Sequence, residues 1–157
     1  MCLLNNDVDP KCAMEELSVC AFRKNIYSLL HSKTNLKEYG SLLRCLMEIE
    51  IDERSKTNDT TYDFECFYWC AFLLSRVGKV SDIKLLGKAK FADFDSYMAF
   101  DVQFLVGAGI ENTISFLATE DEKDILEYIL KCKTCGDFDD LDTWYAWRYA
   151  YFKECSE

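Results

Sequence analysis

The chain is poor in the residues that punctuate β-structure: one proline and six glycines in 157 residues. Sandwiches and barrels need many tight turns, so this scarcity excludes them and favours helices joined by short polar connections. Histidine is scarcer still. The lone His31 leaves little for histidine-based catalysis, and its place at the expected end of a helix reads as a C-terminal imidazolium facing the helix dipole. No long apolar run exists either. The most apolar late stretch, Tyr97 to Leu117, is interrupted by Asp101, Gln103, Glu111 and Asn112, which argues against a membrane span. No phosphate loop, nucleophile elbow, kinase set, HExxH or dinucleotide fingerprint is found, so no enzyme class and no cofactor is indicated. Met1 to Asn6 has no basic n-region followed by an apolar core, which gives the expectation of a cytoplasmic protein without a signal peptide.

Apolar residues and acids are abundant. Half of the residues are apolar and 15% are aromatic, enough for a sizeable core in a single domain spanning 1–157. The formal net charge is −10 and unevenly placed: residues 81–157 carry 8 basic against 16 acidic side chains, and residues 93–142 carry 3 against 13. Such a surface repels nucleic acid and anionic lipid and attracts a basic partner. The nine cysteines, without a secretory leader, are expected as reduced thiols, most of them small hydrophobes inside helices.

Periodicity predicts about eight helices. Asp9-Pro10 opens the first, which runs to about Ser32. Asn35 caps a second through Leu36, Leu43, Leu46 and Ile49, and Arg54 to Thr61 is a polar loop. The third, "YDFECFYWCAFLLSRVG", is apolar nearly all round from Cys66 to Leu74 and should be enclosed by other helices. Ser81 is expected to cap a fourth to Phe91, and Asp95 or Ser96 a fifth that ends near Gly107-Ala108-Gly109, a C-cap and tight turn. Ile110 to Ala118 is a sixth. Thr119 and Glu122 read as the capping box of a seventh ending near Cys132, and Asp140 or Asp142 opens an eighth from Thr143 to Cys155.

An acid–aromatic–acid signature recurs: Asp93-Phe94-Asp95, Asp137-Phe138-Asp139 and, more loosely, Asp63-Phe64-Glu65. Aligning Asp82-Ile83 with Asp124-Ile125 gives two helix–corner–helix units offset by 42 to 47 residues, the range of HEAT-type hairpins. Stacked hairpins share a core, so the expected architecture is an all-α superhelix with residues 1–60 as N-terminal helices or cap and 61–157 as repeat-like hairpins. In each corner the phenylalanine should plug the gap between helices and the acid should cap the helix that follows.

Chemistry-bearing groups are few. Cys132 and Cys135 form a CxxC, but at a helix end, where the dipole raises rather than lowers thiol pKa; a zinc site would need a second pair, and Cys66 with Cys70 is the nearest candidate. Asp137, Asp139, Asp140 and Asp142 are dense, yet they lack the central glycine of a calcium loop. Asp101 in an apolar segment needs a partner, with Lys88, Lys90 and Arg148 as candidates. Trp144, Trp147 and Tyr151 share one face of the last helix, while Tyr145, Tyr149 and Phe152 share another, so one face packs and one is free to bind.

The segments "DIKLLGKAKFADFD", "DVQFLVGAGIENTISFL" and "CGDFDDL", between Asp82 and about Leu141, resemble a bacterial family of small, poorly characterised HEAT- or ankyrin-like helical proteins, some linked to toxin–immunity loci. The resemblance implies a helical-repeat protein and, as partner, a toxin. Together with the residues it gives one leading expectation. This is a non-enzymatic binding module, monomeric or weakly dimeric, that engages a basic protein through Asp93, Asp95, Asp137, Asp139, Asp140, Asp142, Trp144, Tyr145, Trp147 and Tyr151. The second expectation is a small-molecule- or metal-binding protein that uses Cys132, Cys135 and the Asp137–Asp142 cluster.

Overall fold

A computed structural model describes residues 14–56 and 63–155. The expected helix start at Asp9-Pro10 and most of the polar loop before Thr61 lie outside the described residues. The described chain is all-α, without a β-strand. A single turn, α1 (Met14–Leu17), precedes α2 (Cys20–His31), α3 (Gly40–Lys56), α4 (Phe64–Ser75), α5 (Ile83–Lys90), α6 (Phe94–Ala99), α7 (Ile110–Thr119), α8 (Lys123–Thr134) and α9 (Leu141–Glu154). Short 3-10 turns at Leu36–Tyr39, Val80–Asp82 and Val102–Val106 tighten three connections. No helix of the described residues is long and apolar enough to cross a membrane.

The centre is α4. Cys66, Phe67, Trp69 and every residue from Cys70 to Ser75 are buried, as the all-round apolar pattern requires. α3 and α2 pack on α4, α5 packs on α3, and α7 pairs with α8. α9 comes back across the molecule to α2, and its Phe152 reaches α4. Its Phe152 ring stacks on Trp69 with centroids 5.6 Å apart, and Tyr149 stacks on His31 at 4.2 Å. The last helix therefore completes the core begun by the first, whereas a linear stack of hairpins needs contact only between neighbours.

Several local expectations are corrected. The first helix breaks at Ser18-Val19, where α1 ends and α2 starts. The second extends past the expected loop start: Arg54 is a buried residue of α3, held by Asp93 at 2.6 and 2.7 Å. The expected long fifth helix is a six-residue α6 followed by an extended Phe100-Asp101 and a 3-10 turn. Its cap is Asp93, which accepts from Ser96 N at 2.7 Å, rather than Asp95 or Ser96. Ser81 does not cap α5. Asp82 stands there, buried, and binds Arg44 at 2.6 Å. The capping box at Thr119 does not form, because the Thr119 hydroxyl donates to the Phe116 carbonyl and Glu122 makes no cap hydrogen bond.

The acid–aromatic–acid corners divide in the same way. Asp63 and Asp93 do cap α4 and α6, the former accepting from Glu65 N at 3.0 Å. The plug role fails twice: Phe94 is 76% exposed and Phe64 44%. Only Phe138 is buried. There the chain turns through Gly136 in the left-handed region, and the Asp140 side chain makes no cap bond to α9.

Candidate functional site

Core packing decides what α9 shows to solvent. Phe152 is buried between Trp69 and Phe72. Tyr145 packs on Phe72, half-buried, and Trp144 packs edge-on against Phe104 at 5.2 Å. Trp147 points away, 58% exposed, with the Arg148 guanidinium 4.8 Å from its ring centroid and Tyr151 beside it. Asp140, Trp147 and Tyr151 follow one another at seven- and four-residue spacing, so one stripe of α9 carries a carboxylate and two accessible aromatics. Asp137, Asp139 and Asp142 are exposed at the same end of the helix. Tyr151 is partly occupied: its hydroxyl donates to Glu65 at 2.9 Å, a bond that, ahead of burial, pushes the phenol up to about 12.

The remaining candidates do not join this stripe. Asp93 is committed to Arg54 and to the α6 cap, and the Arg54 hydrogen bonds hold its carboxyl down at about 2. Asp95 is exposed on α6 without a resolved partner. Asp101 pairs with Arg148, one of its three expected partners, although burial still raises its carboxyl above the usual range. Lys90 is buried instead among backbone carbonyls, with Nζ donating to those of Tyr97 and Phe100. Gln103 donates to the Asp137 carbonyl at 2.8 Å and ties the 3-10 turn to the acidic corner.

His31 is not a solvated imidazolium. It is buried; Nδ1 accepts from Trp69 Nε1 at 3.2 Å, so Nε2 carries the proton and donates to the Tyr149 carbonyl at 3.0 Å. Burial lowers its pKa below the usual histidine value, and the neutral ring is a strut between α2, α4 and α9.

The cysteines redistribute. Cys132 is buried, its thiol raised first by burial and then by a hydrogen bond to Asp137, and Cys135 is exposed. Neither joins the Asp137–Asp142 carboxylates in a set of three mutually close ligand atoms among the described residues. Nor does Cys66 pair with Cys70, whose Sγ lies 3.7 Å from the Leu43 carbonyl. Cys66 instead meets Cys20, Sγ to Sγ 3.1 Å, with Asp63 beside both. That meeting could not be read from spacing, since 46 residues separate the two thiols. Nor does the helix pattern show it, because the expected first helix runs from Asp9 and puts Cys20 in its middle.

Comparison of the chain with protein-family models, curated proteins and solved structures finds no match. The class defined by the fold is an all-α protein of about eight helices with an acidic, aromatic edge at its last helix.

Proposed function

We propose that this chain is a non-enzymatic protein-binding module that engages a basic partner through the start and outer stripe of α9. The observation that carries the reading is Trp147, a large aromatic left 58% exposed on a helix whose N-terminal end holds Asp139, Asp140 and Asp142, all solvent-facing. Burying a large aromatic is what an interface hot spot does, and surrounding carboxylates steer a cationic surface onto it. Asp137 and Tyr151 flank the patch; Trp144 and Tyr145 pack inward on Phe104 and Phe72. Asp93 belongs to the fold rather than to the patch. The reading includes a cytoplasmic chain acting as monomer or weak dimer. In its specific form the partner is a basic toxin whose active surface is occluded, as the family resemblance implies.

The test is capture from native lysate across a salt series with wild type, with Asp139→Asn/Asp140→Asn/Asp142→Asn, and with Trp147→Ala. A basic protein retained by wild type at low salt, released as salt rises, and lost from both variants is the expected result. Equal retention by all three chains would sink the reading.

A further inference from the structure

A second site lies where α2 and α4 both begin. Cys20 is the first residue of α2, Cys66 sits in the first turn of α4, and Asp63 is the α4 N-cap. Their two sulfur atoms and one carboxylate oxygen all lie within 4.8 Å of one another. We propose that Cys20, Cys66 and Asp63 form a binding site for a thiophilic divalent cation of the zinc class.

The donor set fits the ion. Zinc takes thiolate sulfur at about 2.3 Å and carboxylate oxygen at about 2.0–2.2 Å in tetrahedral geometry, which sets two ligating sulfurs roughly 3.7 Å apart. The present 3.1 Å separation needs only a small side-chain opening at the half-buried Cys20. Three protein ligands leave a fourth position for water. Glu65 stands next to the set and accepts from the Cys155 thiol at 3.3 Å.

Electrostatics favour the ion over the bare thiols. Asp63 beside the two sulfurs, with Glu65 next to it, supplies negative charge at the site. The same carboxylate field attracts a cation. Two thiolates, one carboxylate and a divalent ion carry a net charge of −1, which suits the N-termini of two helices. Binding releases two protons: each sulfur gives up its S–H bond, forms a bond to the metal, and the protons pass to solvent. In the metal-free state a different cation is near. Lys24 Nζ lies 3.5 Å from Asp63 and 3.2 Å from Glu65, and it must yield Asp63 to the metal.

The experiment is titration of the full reduced chain with Co²⁺, kept anaerobic with a non-thiol reductant, followed by competition with Zn²⁺. One Co²⁺ per chain with sulfur-to-cobalt charge-transfer absorption is expected. Affinity should fall at least tenfold in Cys20→Ser and in Asp63→Asn, which keeps a capping side chain, and rise several-fold in Lys24→Gln. Cys132→Ser/Cys135→Ser should bind as wild type does. Circular dichroism of Cys20→Ser confirms that the variant is folded. A wild-type chain without the charge-transfer band, a band that survives in Cys20→Ser, or one that disappears in Cys132→Ser/Cys135→Ser would overturn the site. Unchanged affinity in Lys24→Gln would place the ion away from Asp63 and overturn it as well.

Discussion

Arg23 shows how much a single buried charge costs and returns. It is 1% exposed; Nε donates to Glu50 at 2.7 Å, and Nη1 donates to the carbonyls of Leu17 and Ser18. Tyr27 gives Glu50 a further hydrogen bond at 2.7 Å. Every element of this network answers another, so removing one partner strands the rest. Glu50→Ala is therefore expected to cost about 3–5 kcal/mol, read as a lower urea midpoint. His31 supplies a pH-dependent counterpart. Its folded pKa is lowered from 6.5, so the unfolded chain takes up the proton first as the medium is acidified. Stability is full above about pH 7 and declines as the pH falls through 6.5 toward the folded value. A series of urea melts between pH 8 and pH 5 checks this, with His31→Asn expected to flatten the slope. Neither effect was visible in the sequence. His31 reads there as a helix-end cation because nothing local announces that a residue 118 positions away will cover it.

At the scale of elements, α4 was legible and α6 was not. A run apolar on every side has one stable place, the centre, and the sequence states it without reference to any other segment. The stretch from Asp95 to Gly107 contains helix formers and no proline, yet it splits. Lys90 reaches across, and its ammonium collects the Tyr97 and Phe100 carbonyls that a continuous helix would have kept for itself. Gly107 then passes so close to α4 that a Cβ there would stand 2.1 Å from the Ser75 carbonyl oxygen. Gly107→Ala is expected to displace the 3-10 turn and lower stability by about 1–3 kcal/mol, measured by thermal melting. α9 gives the sharper contrast. Phe152→Ala empties a slot between Trp69 and Phe72 and is expected to cost about 3–5 kcal/mol, while Trp147→Ala should stay within about 0.5 kcal/mol of wild type. Two aromatics on one helix thus separate folding from the proposed binding, and urea denaturation of the pair distinguishes them.

For the molecule as a whole, charge and fold are arranged separately. The carboxylates that fold the chain, Glu50, Asp82, Asp93 and Asp101, each face an arginine. Among the described residues, Asp137, Asp139, Asp140 and Asp142 at the start of α9 enter no such ion pair and are exposed. Charge counting along the chain marked residues 93–142 as acidic but could not sort their members, because Asp93 and Asp139 differ only in whether an arginine comes from afar. On the proposed reading, association with a basic partner should slow as salt rises, with the dissociation rate little changed, in stopped-flow measurements at two ionic strengths. The proposed cation site follows the same division. Its ligands come together only through the packing of α2 on α4, which is why cysteine spacing pointed to Cys132 and Cys135 instead.

The seating of Phe152 and Tyr149 on Trp69 and His31 has a consequence for biosynthesis. Translation proceeds from the amino end, so α2 and α4 emerge long before the helix that roofs them. Until α9 follows, a nascent chain displays Trp69, Phe72 and the His31 ring as an open aromatic furrow. Folding of this core then waits for α9, and a ribosome stalled after α8 would hold out a sticky intermediate, the kind of client that chaperones recognise.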